Sequence, residues 1–219
     1  MVLVKKFTLD GASATQVRVM SHDLTAAAYK KIAGDQFVAW DIETNGLDPK
    51  ASEIGTCQLF SPTVGACVVT EIHRPPPLLT ALLEASEVVK VFHHAPFDLS
   101  FMMQKWGAIP SSVVCTKIAA KLIAPEADPR EYSLKHLMRT HFAIDLNKDM
   151  RFSDWMAESL SNEQLQYAVG DVRKLIDLYR LLHGTLHSMG LEQLYQECCE
   201  FLPSHVKLRL HGCPDPFKY

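Results

Sequence analysis

Asp41, Glu43, Asp98, Tyr167 and Asp171 are the side chains whose types and spacing could do chemistry together. Asp41 and Glu43 stand at the carboxyl end of an apolar run, and residues two apart on a strand face the same side. Two carboxylates so placed repel unless cations lie between them. Asp98 falls in the first turn of a helix opened by Pro96, where the helix dipole favours an anion. Tyr167 and Asp171 are four apart, so phenol and carboxylate share one helical face. Taken singly, each has an ordinary reading: a solvated strand end, a dipole partner, a core tyrosine. Taken together, four acids can converge only around metal. Two divalent cations turn such a cluster into a phosphodiester-cleaving site, where they activate water and stabilise the leaving oxygen. Oxygen-only ligands suit Mg²⁺ or Mn²⁺ rather than zinc.

These residues need strands and helices to position them. A strand is expected over Val2–Leu9 and a helix over Leu24–Ala33. The strongest strand is Gln36–Ile42, closed by the turn signals Asn45-Gly46 and Asp48-Pro49. Trp40 and Ile42 would face the core, opposite the acids. Cys57–Phe60 and Ala66–Thr70 read as a hairpin, Leu78–Ala85 as a helix, and Val88–Phe92 as a short buried strand. Pro96 opens a helix to Trp106, since its missing N–H costs nothing there. Val113–Ile123 reads as a further helix, and Ser133–Phe142 as one capped by Ser133. Ser161 and Gln164 fit a capping box, opening a long helix that runs to about His187. A last helix covers Leu191 to about Leu210. The order predicts an α/β fold, a mixed sheet flanked by helices. A single domain over residues 1–219 is expected, with a core at about 36–188. Residues 191–219 would serve packing or oligomerisation.

The 219 residues carry a net charge of −3. Proteins that coat long nucleic acid usually carry a basic excess, so any nucleic-acid substrate would be short or held locally. No apolar run reaches the ~18 residues needed to cross a bilayer. The first residues lack the pattern of a secretory signal, and the cytoplasm is the expected compartment, with no membrane partner. The six cysteines form no Cys-x-x-Cys pair and are read as reduced packing thiols. His183 and His187, four apart, read as a solvated face, with no third ligand apparent.

The set Asp41-x-Glu43, Asp98 and Tyr167-x-x-x-Asp171 resembles the DEDD superfamily of 3′–5′ exonucleases, in its tyrosine subtype. The histidine subtype carries its base five positions before the last Asp; here that position is Gln166. Cys57-Gln58-Leu59, Phe92-His93, Ser153-Asp154-Trp155 and Tyr167-Ala168 resemble the RNase D branch. Cys115-Thr116-Lys117-Ile118-Ala119, Phe201-Leu202-Pro203 and Lys207-Leu208 resemble nano-RNase C, a family acting on diribonucleotides and very short RNA. The likeness runs from about Phe37 to Phe217.

The resemblance implies a ribonuclease H-like, DnaQ-like exonuclease fold. It implies that Asp41, Glu43, Asp98 and Asp171 hold two Mg²⁺ or Mn²⁺ ions and that Tyr167 orients the attacking water. A phenol of ordinary pKa ≈ 10 is a poor base near neutrality, which leaves activation of water to the cations. Leu47, in the turn after Thr44, matches a leucine wedge between the last two bases. Thr44, Leu47 and His94 are the expected substrate contacts. The implied substrate is short single-stranded RNA, down to dinucleotides, with DNA also open, and the products are nucleoside 5′-monophosphates. The implied assembly is a dimer-based homo-oligomer, an octamer in that family. RNase D carries further helical domains after its nuclease core; residues 172–219 are expected to hold only the end of one helix and one more. Two alternatives stay open: a broader exonuclease trimming RNA or DNA 3′ ends, and a degenerate fold that only binds RNA.

Overall fold

The computed structural model describes residues 2–7, 15–147 and 149–218. Seven strands form one mixed sheet. They are β1 (Val2–Phe7), β2 (Thr15–Ser21), β3 (Phe37–Thr44), β4 (Ile54–Ser61), β5 (Gly65–Thr70), β6 (Val89–Phe92) and β7 (Val113–Cys115). Their order across the sheet is β1-β2-β5-β4-β3-β6-β7. The β1–β2, β5–β4 and β4–β3 pairs are antiparallel; β2–β5, β3–β6 and β6–β7 are parallel. The expected mixed α/β sheet is therefore present. Thr8 and Leu9 of the expected first strand, and Tyr219 at the end of the expected tail, lie outside the described residues.

The helices are α1 (Ala26–Ile32), α2 (Pro77–Glu84), α3 (Pro96–Trp106), α4 (Thr116–Ile123), α5 (Leu134–Phe142), α6 (Asn162–Arg173), α7 (Leu175–Ser188), α8 (Glu192–Glu200) and α9 (Leu202–Leu210). Local chemistry sets their starts. Asp23 accepts from the Leu78 and Leu79 amides and so caps α2 from across the chain. Ser133 caps α5. Ser161 and Gln164 form the expected capping box at the start of α6. Gly107, at φ 67°, ends α3 in the left-handed region that suits glycine.

Alternation along β5 divides the interior. Ala66 and Val68 face a cluster with Val17, Trp155, Leu165, Ala168 and Val169, whereas Cys67 and Val69 face the larger core around Trp40 and Phe92. The sheet is thus covered on both faces, with α6 on the first. Lys90, fully buried in β6, donates to the Ala85 carbonyl at the end of α2. Burial pushes its amine down to about 8.

Four expectations about elements need correction. Val113–Cys115 is strand rather than the start of a helix, because Val-Val-Cys pairs parallel with Lys90–Phe92 and β-branched residues suit that place. Thr15–Ser21 is an additional strand. The long helix after Ser161 breaks at Lys174, two residues after Val172 joins the larger cluster that α7 continues to line. The last helix breaks at Phe201, with Pro203 in the first turn of α9. None of the six cysteines is paired.

Candidate active site

Asp41 and Glu43 leave β3 on the same side, while Trp40 and Ile42 are buried behind them. α6 crosses that face of β3, β4 and β5 and carries Asp171 to it. Carboxylate oxygens of Asp41, Glu43 and Asp171 all lie within 4.8 Å of one another. Asp98 stands beside this group rather than in it. It is 2% exposed, and its Oδ1 accepts the Ile42 amide at 3.1 Å. The parallel ladder of β3 with β6 ends at Ala39↔Val91. β3 therefore outruns its neighbour, and Asp98 accepts a main-chain hydrogen that no strand partner reaches. Burial, and then Asp41 and Asp171, push the Asp98 carboxyl well above the usual range.

The Tyr167 ring packs on Trp155, with centroids 5.7 Å apart. Burial raises its phenol, and Asp171, Glu43 and Asp41 raise it further, against a small opposing effect of Arg151. The hydroxyl thus stays protonated near neutrality and has a hydrogen to donate. Gln164 fixes the loop that carries Trp155. Its Nε2 donates to the Ser153 hydroxyl at 3.1 Å and to the Asp154 carbonyl at 2.9 Å. Gly55 admits the same loop, since a Cβ there would lie 2.8 Å from the Trp155 carbonyl carbon.

The expected substrate contacts lie in different surroundings. The Thr44 hydroxyl donates to the Gly46 carbonyl at 2.6 Å and pins the turn that carries Leu47. Leu47 is 79% exposed. His94, at φ 70°, lines a basic cavity of about 350 Å³ with Lys117, Lys121, His205 and Arg209. Burial, aided by Lys117, Arg209 and Lys121, lowers its ring to about 4, so His94 is neutral near pH 7. His93 meets the Thr116 hydroxyl through Nδ1 at 2.9 Å. His187 is exposed and His183 half-exposed, in keeping with the expected solvated face, and both meet the Glu192 carboxylate, at 2.7 and 3.3 Å.

Two features were given no role by sequence reasoning. Phe152 is 90% exposed in a short 3-10 turn (Asp149–Phe152), with the Arg151 guanidinium 5.4 Å from its ring centroid. Nothing in the sequence marks it. Thr56 and Gln58 are buried polar residues beneath the acids. Their i, i+2 spacing within an otherwise apolar strand is a signal that could have found them.

An oxygen-only set of converging carboxylates, one of them strongly disfavoured as an anion, fits hard divalent cations. A model of the 3′–5′ exonuclease family matches residues 17–187. The chain belongs to this family. Ribonuclease D of Haemophilus influenzae is 30% identical over 169 residues, 75% of this chain and 41% of that protein. The chain spans less than half the length of the ribonuclease D relatives it matches, 28% for that of Gluconacetobacter diazotrophicus. Among solved structures, NrnC of Brucella melitensis is similar over 93% of this chain and 98% of its own, at 33% identity and a TM-score of 0.84. The NrnC structure with bound Mg²⁺ matches at 32% identity and 0.83. The one bound to pGG matches at 33% and 0.84. The fold is accordingly the expected ribonuclease H-like one, and the exonuclease type is that of RNase D and NrnC. Among the described residues no helix is long and apolar enough to cross a membrane.

Proposed function

We propose that the protein removes nucleotides from the 3′ end of short single-stranded RNA, down to dinucleotides, and releases nucleoside 5′-monophosphates. The observation that carries this reading is the meeting of Asp41, Glu43 and Asp171 within 4.8 Å. Asp98 and a protonated Tyr167 stand alongside. Asp41, Glu43, Asp98 and Asp171 would hold two Mg²⁺ or Mn²⁺ ions. The ions would supply Lewis acidity for attack on the phosphodiester and charge compensation for its leaving oxygen. Tyr167 donates from its hydroxyl and orients the water or a phosphate oxygen. Leu47 and Phe152 offer apolar and aromatic surface to unstacked bases, the usual means of holding single-stranded RNA. The match over nearly the whole length of NrnC, including its form with bound pGG, supports the short substrate. The acidic net charge agrees with it. Exposed Leu194 and Phe201 on the C-terminal helices support homo-oligomerisation, which sedimentation would test.

The ribonuclease D relatives favour a second reading, trimming of longer RNA or DNA 3′ ends. Rates with Mn²⁺ on labelled di-, tri- and 20-residue RNA and on duplex DNA decide between them. A strong preference for the dinucleotide is expected. Equal or faster turnover of the 20-residue RNA would favour trimming, and no turnover of any would end the exonuclease reading.

A further inference from the structure

Thr56 and Gln58 lie on β4 directly across from Glu43 and Asp41, in the register Glu43↔Thr56 and Asp41↔Gln58. Both are fully buried. A buried amide and a buried hydroxyl are costly unless they are hydrogen-bonded, and here both are. Gln58 Nε2 donates to Asp41 Oδ2 at 2.6 Å, and the Thr56 hydroxyl donates to Gln58 Oε1 at 3.0 Å.

Chemistry fixes the direction of this chain. An ionised carboxylate only accepts, so the amide must turn its NH₂ toward Asp41. Its oxygen then faces Thr56, and the hydroxyl there supplies the one donor that makes this orientation the better one. A flipped amide would set Oε1 against Asp41 Oδ2 and leave the Thr56 hydroxyl facing an NH₂.

We infer that Thr56 and Gln58 form a positioning relay that holds the Asp41 carboxylate in one rotamer, with Oδ2 engaged and Oδ1 turned to the cation site. The inference rests on the proposed metal-binding role of Asp41. Neither residue touches substrate in this account; each acts through Asp41. Outer partners of metal-binding groups typically change metal affinity or activity by 10–100-fold when removed. Thr56 is the informative position because Val matches its shape without the donor, while Ser keeps the donor.

The test is Mn²⁺ binding to the metal-free protein, read by electron paramagnetic resonance and calorimetry, with thermal melting as the control for fold. Thr56→Val should weaken Mn²⁺ binding about 10-fold, and Thr56→Ser should return it toward the wild-type value. Gln58→Met, close in volume, should weaken it at least as much. If Thr56→Val and Gln58→Met bind Mn²⁺ as the wild type does, whatever their melting temperatures, the relay is overturned. The same holds if Thr56→Ser fails to recover what Thr56→Val loses. Failure of the wild-type protein itself to bind Mn²⁺ would remove the metal reading and the relay together, a result distinct from either.

Discussion

Replacing Asp171 by Asn should abolish turnover and at the same time stabilise the metal-free protein. Asp41, Glu43 and Asp171 make three pairwise repulsions within 4.8 Å, and Asp171→Asn removes two of them. At that separation each pair costs about 0.9 kcal/mol at the dielectric of water and about 3.5 kcal/mol at an effective value of 20. The gain is then at least about 2 kcal/mol, and about 7 kcal/mol if every group stays ionised at the lower dielectric. For a chain of this size about 2 kcal/mol raises the melting temperature by roughly 4–8 °C. Metal reverses the order. A cation held at 100 times its dissociation constant stabilises the native state by about 2.7 kcal/mol, a gain that the wild type should show and the Asn variant should largely lose. Calorimetric melting in chelator and then in excess Mn²⁺ measures both. A variant that melts below the wild type in chelator, or that gains as much from Mn²⁺, would refute the reasoning.

Four further outcomes follow from the same geometry. Tyr167→Phe keeps the ring on Trp155 and loses only the donor, so kcat on short RNA should fall about 10²-fold with KM little changed, as steady-state kinetics would show. Gly55→Ala drives a Cβ into the Trp155 carbonyl. It should cost about 1–3 kcal/mol and lower activity by displacing the support of Tyr167, seen by melting and by rate. Phe152→Ala should raise KM for short RNA by about 10-fold, since stacking on an aromatic ring is worth about 1–3 kcal/mol per base, and should leave melting unchanged. Lys90, with its amine lowered to about 8 in the fold, binds fewer protons folded than unfolded between pH 8 and about 10.4. Its penalty is full below pH 8 and fades as pH rises through that window. Lys90→Met should therefore gain most over the wild type in urea unfolding at pH 7.5, and less at pH 9.5.

Where burial follows strict alternation or a capping signal, the sequence was enough. Trp40 and Ile42 alternate with Asp41 and Glu43, and the Ser161–Gln164 box opens the helix that carries Tyr167 and Asp171. β2 hid because its buried residues, Val17 and Met20, are three apart and show no period of two. β7 is only three residues long and gains strand character from β6 alone. The break at Lys174 carries no Pro or Gly to announce it. Within the site, the acids could be named from type and spacing, and their meeting could be argued from repulsion. The support beneath them left only a trace, the i, i+2 spacing of Thr56 and Gln58, whose purpose shows in the register of β4 against β3. Glu192, which joins His183 and His187, comes from the following helix and no spacing rule reaches it.

The bond from Ile42 to Asp98 ties chemistry to architecture. Where β3 runs on beyond β6, its buried main-chain donor is met by a side chain that the proposed metal site also uses. Erasing that side chain to a methyl group would orphan a buried N–H and remove a proposed ion ligand, whereas an amide could still answer the strand. Damage at this position is therefore felt twice, and an inactive protein made there need not be a well-folded one.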